Sequence, residues 1–315
     1  MGANKPPSVF KLREFFRTVF KGVETMEKKT ILIQLDPDLH PSVFDRVVAI
    51  DSGADEIFSY ANVKPEEVRD LVHGAIFTRG PKDLKKTAFF IGGTNVQKSE
   101  ALFAAALKAM VPEYGLRVSI LFDANGSNTT AAAAVRLAAK NIELKEKKVL
   151  ILAGTGPVGQ RAALLLSKLG AVVGLSSRNL EKAKEAVYLV GKKVEQYPSL
   201  SPLQIASETE LNKALEGVEL VISAGAAGIC LLPEKNRKLA PNLKMVIDLN
   251  AVPPLGIEGT TAIDKGVTRE GVLCFGALGV GEIKMKIHRA AVVSLFERND
   301  CVLDAVEVYE IAKNF

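Results

Sequence analysis

The sequence predicts an α/β protein with two domains: an N-terminal α/β domain with a parallel sheet and a Rossmann dinucleotide-binding domain, with an active-site cleft between them. Strand-like apolar runs alternate with segments of helical spacing almost from end to end, which is typical of βαβ units. A glycine-rich motif follows one of these strands directly. With 315 residues, 48% of them hydrophobic, the chain is long enough to form two cores.

The first series of strands and helices begins with the apolar run TILIQL at 30–35. Val43, Val47 and Ile50 then follow at helical spacing, and Gly53 closes this predicted helix. Two more pairs of a strand-like run and a helical segment come next: KKTAFFIGG with NVQKSEALFAAALKAM, and LRVSILFD with NTTAAAAVRLAAK. This alternation predicts the parallel sheet of the first domain.

The second series begins with KKVLILAG at 147–154 and continues as a helix at 158–169. The strand AVVGLSS, the helix NLEKAKEAVYLV and the strands VELVISAG and LKMVIDLN follow. The segment GVLCFGALGVGEIKMKIHRAAVVSLF then leaves a glycine-rich loop and enters a long helix, and DAVEVYEIAKNF predicts a final amphipathic helix. Strands that alternate with helices in this way predict a second parallel sheet.

No low-complexity linker separates the two series, so we place the domain boundaries within helices, near 125–145 and 282–298. The first domain is then discontinuous, because the end of the chain returns to it. The predicted division is an amphipathic extension at 1–29, a first α/β domain at 30–127 plus 291–315, and a Rossmann domain at 128–290.

The N-terminal extension has the pattern of a basic amphipathic helix. Its apolar residues at helical spacing are Leu12, Phe15, Phe16, Val19 and Val23. The basic residues between them are Lys11, Arg13, Arg17 and Lys21. Such a helix could contact a membrane surface or resemble a transit peptide. We favour the simpler interpretation that it packs on its own subunit or on a neighbour.

Composition argues against several classes of protein. The net charge of +5 is modest, and beyond the first 30 residues no basic stripe is interleaved with aromatics, so we expect no nucleic-acid partner. The three cysteines, Cys230, Cys274 and Cys301, are far apart and form no CxxC motif, which indicates a reducing, cytoplasmic location. The histidines also lack metal-ligand spacing, and we expect no metal site.

The strongest local signal is the glycine motif at 154–159. It directly follows the strand VLILA and opens a helix, which is the context in which such a motif binds a dinucleotide. Gly154 is expected to permit the tight turn, Gly156 to let the backbone approach a pyrophosphate, and Gly159 to let helix and strand pack closely. The helix N-terminus adds free N–H groups. The candidate cofactor residues here include Thr155, Pro157 and Val158.

The next strand favours NADP over NAD. NAD-specific sites place an acidic residue about 20 positions after the first glycine, whereas this chain has Ser177 and Arg178, with Lys182 one helical turn further on. Hydroxyl and guanidinium groups can hydrogen-bond a 2′-phosphate. The alternative is that Arg178 only caps a loop in solvent.

Further cofactor candidates lie where ligands gather in such folds, at the carboxyl ends of strands. They are Ser223, Ala224 and Gly225 after one strand, Asn250 after the next, and Ala277 at the start of the long helix. Small side chains at these positions allow close approach of a nicotinamide ribose.

Taken together, several segments resemble the NADP-dependent methylene-tetrahydromethanopterin/methylene-tetrahydrofolate dehydrogenases, and in particular the NADP-specific branch that serves both pterins. The resemblance covers the chain from about Met26 to its end. The segments that carry it are QLDPDLHPSVFD, DANGSNTTAAA, AGTGPVG, DLNAVPPLGIEG and FGALGVGEIKMKIHRA.

The resemblance implies a tetrahydropterin substrate held in the cleft between the domains, with its methylene carbon facing the nicotinamide. Carried over to matching positions, Lys284 is the functional lysine. The implied substrate-binding residues are Gln34, Phe44, Asp45, Asn125 and Asn128. The family also implies a homo-oligomer, expected to be a trimer.

In the implied reaction, hydride leaves an N–CH₂–N carbon and a methenyl cation forms, so positioning matters more than proton transfer. A protonated Lys284 beside that cation would be unfavourable, by about 4 kcal/mol at 4 Å and an effective dielectric of 20. Lys284 is therefore expected to be neutral, paired with a carboxylate such as Asp45, or directed at a pterin carbonyl.

Two other functions compete with this one. A shikimate-type or other two-domain NADP-dependent dehydrogenase would also combine a glycine motif with a Ser-Arg pair, but it needs a proton-transferring lysine–aspartate pair, of which the first domain shows no clear equivalent. A non-catalytic NADP-binding sensor would bind the cofactor without turnover.

Overall fold

The computed structural model describes residues 27–194 and 200–315, and within them it confirms the predicted α/β class with two mainly parallel sheets. The amphipathic helix expected between residues 9 and 23 lies outside the described residues, so its role stays a prediction. In the described part of the chain, no helix combines the length and apolarity needed to cross a membrane.

The first sheet has five strands in the order β12-β4-β3-β1-β2, and all neighbours pair in parallel. Every residue of the central strand β3 is buried. The strands are β1 (Ile31–Leu35), β2 (Glu56–Tyr60), β3 (Thr87–Ile91), β4 (Ser119–Phe122) and β12 (Val302–Leu303). Since β12 comes from the end of the chain, the C-terminus does return to this sheet.

Three helices connect the first four strands: α1 (Val43–Asp51), α2 (Val68–Ile76) and α3 (Val96–Ala109). Two of them begin at side-chain caps. The Ser42 hydroxyl accepts a hydrogen bond from the Asp45 amide at 3.2 Å, and the Asn95 side chain accepts from the Lys98 amide at 3.0 Å. Such caps satisfy N–H groups that the first turn of a helix leaves free.

The second sheet has seven strands in the order β10-β11-β9-β8-β5-β6-β7, and β10 runs antiparallel to β11. Its strands are β5 (Lys148–Leu152), β6 (Val172–Ser177), β7 (Leu200–Gln204), β8 (Leu220–Ser223), β9 (Met245–Asp248), β10 (Lys265–Arg269) and β11 (Val272–Phe275). The helices between these strands are α5 (Pro157–Lys168), α6 (Leu180–Gly191), α7 (Glu208–Ala214) and α8 (Glu234–Lys238).

Two further helices connect the sheets along the chain, α4 (Ser127–Asn141) and α9 (Ala277–Ser294), and a third, α10 (Ala305–Ala312), follows β12. α4 packs against α5, α9 and α10, and its fully buried run of four alanines, 131–134, allows the helices to approach closely. The predicted domain boundaries at 127/128 and 290/291 stay a prediction, and they fall at the start of α4 and inside α9.

Candidate active site

A cavity of about 490 Å³ opens at the carboxyl end of the first sheet, against α1 and α9. The carboxyl ends of parallel strands meet at one edge, so loops that are distant in sequence converge here. Four of the predicted site residues line this cavity: Phe44, Asp45, Asn125 and Lys284. The remaining lining residues are Asp36, Asp38, His40, Ser42, Gly93, Thr94, Gly126 and Thr130.

Three carboxylates, Asp36, Asp38 and Asp45, line the cavity, and the charge of a fourth, Asp123, acts on Asp45. Asp36 and Asp123 are almost fully buried, and burial raises the pKa of each. Burial, followed by the negative charge of Asp123, raises the pKa of Asp45 to about 6. Because desolvated carboxylates favour partners that offer N–H groups or positive charge, the cavity is suited to an N–H-rich or cationic ligand.

The buried Asp123 is held by the start of α4. It accepts hydrogen bonds from the amides of Asn128 at 2.9 Å and Thr129 at 3.0 Å, and from the Thr129 hydroxyl at 2.7 Å. The positive charge of Lys284 and these hydrogen bonds favour the charged form of Asp123, but burial has the larger effect on its pKa. Its position is therefore fixed by the fold before any ligand binds.

Lys284 extends from α9 across the cavity. Its Nζ lies 4.3 Å from the centroid of the Phe44 ring and 3.3 Å from Nδ1 of His288. A Cβ added to Gly126 would lie 3.5 Å from the Lys284 Cε, so the lysine runs close over this left-handed glycine (φ 60°). The ion pairs of α9 involve Glu282 and Arg289 instead. Among the described residues, Lys284 and Asp45 therefore form no direct ion pair, which was one of the arrangements considered from the sequence.

Two predicted substrate residues do not line this cavity. Gln34 is buried in β1, where its Oε1 accepts a hydrogen bond from the Ser59 hydroxyl at 2.9 Å. Asn128 is fully buried, and its Nδ2 donates to the Phe122 carbonyl at 2.6 Å and to Asp304 at 3.0 Å. Its Oδ1 accepts from Arg161. Asn128 thus anchors α4 rather than facing the cavity.

The glycine turn between β5 and α5 has one position at which the protein itself does not require glycine. Gly156 has an ordinary φ of −75°, and a Cβ built on it would meet nothing within 4 Å. Neither the backbone nor the packing requires glycine there, whereas a closely approaching pyrophosphate does. No side chain caps α5, so its first N–H groups are free to bind phosphate oxygens. The turn therefore fits a dinucleotide.

The other two glycines of the motif serve packing. A Cβ on Gly159 would lie 2.4 Å from the Gly154 carbonyl oxygen, and one on Gly154 would lie 2.8 Å from Cγ2 of Ile151. The expectation that Gly154 permits the tight turn is corrected, because the positive φ of 50° belongs to Ala153. Within the same motif, Pro157 is the first residue of α5, Val158 follows it, and the Thr155 carbonyl accepts from the Gln160 side chain at 2.7 Å.

A second cavity of about 250 Å³ lies beside this turn. It brings together five of the predicted cofactor residues, which are Thr155, Ser177, Arg178, Lys182 and Gly225. Arg178 and Lys182 are exposed at its rim, and no acidic residue is among the described side chains that line it. Such a cavity can accept a phosphorylated ribose and would not repel its negative charge.

The remaining cofactor candidates lie at strand ends, as expected, but one is covered by the backbone and another is hydrogen-bonded within its own loop. Ser223 ends β8 and is covered by Gly256, on which a Cβ would come within 2.1 Å of the Ser223 Oγ. The Asn250 side chain accepts from the Val252 amide at 2.9 Å and donates to the Pro254 carbonyl at 3.1 Å. Both shape loops at the cleft. Ala224 follows β8 and Ala277 opens α9.

Three candidate residues were not predicted from the sequence: Asp36, Asp123 and His288. The two aspartates each follow an apolar strand directly, so the general rule for strand ends could have indicated them. His288 lies one helical turn beyond Lys284, which is a spacing that places both on one face of α9.

Comparisons with known proteins agree with this architecture. Residues 43–125 match the family described as methylene-tetrahydromethanopterin dehydrogenase, N-terminal. Residues 119–243 match the alanine dehydrogenase/PNT C-terminal domain. A crystal structure of ligand-free 5-ketofructose reductase from Gluconobacter sp. strain CHM43 has a TM-score of 0.51 at 15% identity, covering 92% of this chain and 99% of that one. At this identity it indicates a shared fold alone.

Two relatives from Methylorubrum extorquens are similar over nearly their full length. The chain is 44% identical to the bifunctional protein MdtA over 287 residues, which are 90% of this chain and 98% of the relative. It is 31% identical to the NAD(P)-dependent methylenetetrahydromethanopterin dehydrogenase over 294 residues, again 90% and 98%. The resemblance read from the sequence is thereby confirmed: the chain belongs to the methylene-tetrahydromethanopterin dehydrogenase family of oxidoreductases.

Proposed function

We propose that the chain dehydrogenates methylene-tetrahydromethanopterin, methylene-tetrahydrofolate or both to the methenyl form, with NADP as the hydride acceptor. One observation carries the proposal: a single helix, α9, runs from the end of the dinucleotide sheet to the carboxylate cavity. Ala277 lies at the end of the dinucleotide sheet, and Lys284 lines the carboxylate cavity. Seven residues of helix span about 10 Å and return to nearly the same face, so both residues can face one cleft.

On the substrate side, the chemistry of the cavity matches a pterin. The reduced pyrimidinone ring presents N–H donors and a carbonyl acceptor. Asp45 and the buried Asp36 offer carboxylate oxygens to the donors, and Lys284 offers N–H groups to the carbonyl. The half-exposed ring of Phe44, at 50%, provides a flat apolar surface for the ring system to contact. Asn125 lies at the mouth of the same cavity.

The cavity also favours the charge that forms during the reaction. Loss of hydride leaves a cation spread over two nitrogens, and the carboxylates of Asp36, Asp45 and Asp123 stabilise positive charge. Lys284 opposes it, so its contribution has to come from orientation of the substrate. We therefore assign Lys284 to holding the pterin carbonyl, which fixes the donor carbon at the cleft.

On the cofactor side, the turn at Gly154–Gly159 and the uncapped start of α5 would hold the pyrophosphate. Ser177, Arg178 and Lys182 would hold the 2′-phosphate of NADP, and Gly225 and Ala277 would border the nicotinamide end. When bound, the nicotinamide ring supplies the hydride acceptor. No residue of this chain then has to move a proton in the chemical step.

Assembly and location are extensions of the same proposal. We expect a homo-oligomer, a trimer by resemblance, in the cytoplasm. The N-terminal 25 residues stand outside the family resemblance and receive no assigned role in catalysis. Gln34 and Asn128 are not among the residues that line the cavity, so we assign them no direct contact with the substrate.

The test is an assay of NADP reduction with each methylene-tetrahydropterin and with NAD in parallel. The methenyl product absorbs in the near ultraviolet beyond NADPH, so the product and the reduced cofactor can be followed separately. We expect equimolar NADPH and methenyl product, with NADP preferred. Tight NADP binding without turnover of either pterin would contradict the proposal and favour a sensor.

A further inference from the structure

His288 lies beneath the cavity in an unusual setting for a histidine. It is fully buried, and its ring stacks on Phe90, with centroids 5.8 Å apart and an interplanar angle of 17°. Phe44 covers it from the side of α1 at 6.1 Å. Both neighbours are apolar aromatic rings, so these packing contacts do not by themselves require an imidazole.

The polar contact of this ring is with Lys284. Nδ1 of His288 lies 3.3 Å from the lysine Nζ, while its Nε2 has no hydrogen-bond partner among the described residues. Because an ammonium group can only donate, Nδ1 has to be the acceptor and the proton of the neutral ring has to be on Nε2. Burial and the adjacent lysine lower the pKa of His288 to about 3, so the ring stays neutral near pH 7.

We propose that His288 is the positioning residue of Lys284: its neutral Nδ1 accepts a hydrogen bond from the ammonium group and, with the Phe44 ring, fixes where Nζ enters the cavity. A carboxylate in this place would hold the lysine too, but it would draw Nζ away from the substrate carbonyl. A neutral acceptor orients the ammonium group and leaves its other N–H groups for a ligand. This inference rests on the proposed function of Lys284.

The decisive variant is H288F, because a structural role and a positioning role predict opposite results for it. Phenylalanine keeps the stacking and removes an imidazole with an unpartnered Nε2, so stability should be unchanged or higher. We expect Tm to hold or rise and NADP affinity to stay constant, while kcat with methylene-pterin falls about 10- to 100-fold. H288N returns an acceptor at the Nδ1 position and should recover part of kcat.

Two controls separate the inference from general damage. H73F makes the same substitution on α2. The ring centroids of His73 and Phe77 lie 5.2 Å apart, and His73 is not among the residues that line the cavity. This variant should leave kcat unchanged. In a K284A background, H288F should have no further effect, since His288 acts through the lysine. Wild-type kcat in H288F, or effects of H288F and K284A that multiply, would overturn the proposal.

A measurement that does not depend on turnover keeps this inference separate from the proposed function. Nitrogen-15 NMR of the histidine rings in the wild-type protein should show His288 neutral between pH 5 and 9, with the proton on Nε2. K284A should shift the Nδ1 resonance. A proton on Nδ1 would overturn the inference even if the enzyme is active, whereas an inactive wild type would overturn the function alone.

Discussion

Lys284 and the aspartates in and beside the cavity have opposing effects on a bound cation. The carboxylates stabilise a forming cation, and the lysine destabilises it, by about 4 kcal/mol for a pair at 4 Å and an effective dielectric of 20. A lysine retained against this cost has to contribute through substrate orientation. Its contacts with the Phe44 ring and His288 fit that role, because each holds the ammonium group without placing a negative charge on it.

The first prediction concerns this lysine. K284A should lower kcat with methylene-pterin by about 100-fold, because a misplaced donor carbon loses its alignment with the acceptor. NADP affinity should be unchanged, since Lys284 lies in the other cavity. K286A, which removes an exposed lysine of the same helix that pairs with Glu282, is the matched control. Near-normal kcat in K284A would rule out the assigned role.

The second prediction is a pH dependence set by Asp45. The pKa of this carboxyl is raised to about 6, so it is charged above pH 6 and becomes neutral as the pH falls through that value. Dehydrogenation should slow in this window, because one negative charge facing the cation is lost. Asp36, Asp38, His40 and Lys284 line the same cavity, and the charge of the buried Asp123 also acts on Asp45.

D45N tests that assignment in a pH–rate profile. The variant should be slower at pH 8, where the wild-type carboxylate is charged, and its profile should lose the acid limb near pH 6. If the limb persists unchanged in D45N, another group controls it and the role of Asp45 is wrong.

The third prediction concerns cofactor choice. R178A should raise the Kd of NADP by about 10- to 100-fold, the effect of losing charge-assisted hydrogen bonds to a phosphate, and should barely alter that of NAD. K184A, on the helix α6 that follows Arg178 and paired with Glu181, is the control. Equal losses for both dinucleotides would show that Arg178 does not contact the 2′-phosphate.

At the scale of elements, the turn into α5 separates ligand binding from packing. Gly156 has open space where a Cβ would lie, whereas a Cβ on Gly159 would meet the Gly154 carbonyl oxygen at 2.4 Å. Substitution by alanine should therefore have different effects at these two positions, three residues apart, because the two glycines have different neighbours.

The fourth prediction is this contrast. G156A should keep the wild-type Tm and weaken NADP binding by about tenfold or more, as expected when an extra methyl group costs 1–3 kcal/mol at a filled contact. G159A should lower Tm itself. Binding assays and thermal unfolding of the two variants check this, and unchanged NADP affinity in G156A would argue against the pyrophosphate cradle.

Most of the central strands could be predicted from the sequence, and the strands at the sheet edges could not. The strands TILIQL and KKVLILAG are continuous apolar runs because both faces of a parallel strand are buried. No strand was predicted for β2, β7, β10, β11 or β12. The strands β2, β7 and β10 lie at sheet edges with partly exposed residues, and β12 has two residues, so none of these four shows a clear apolar pattern. The inner strand β11 has four residues and runs directly into the glycine-rich start of α9.

At the scale of the molecule, the candidate site depends on contacts that no local pattern contains. Phe44, Asn125 and Lys284 were expected through family resemblance, and the fold brings them to one cavity. The burial of Asn128 and the slot around His288 arise where α4 and α9 pack between the sheets. Contacts between side chains so far apart in sequence depend on how the helices pack, and hydrophobic periodicity does not predict that packing.

The central claim is that the cleft along α9 lets a methylene carbon and a nicotinamide touch, so that hydride passes directly between them. The most direct measurement uses a tetrahydropterin with a dideuterated methylene group and NADP in ordinary water, with the cofactor analysed by mass spectrometry. With direct transfer, each reduced cofactor should carry one deuterium. Reduced cofactor without deuterium, its hydrogen drawn from solvent, would contradict it.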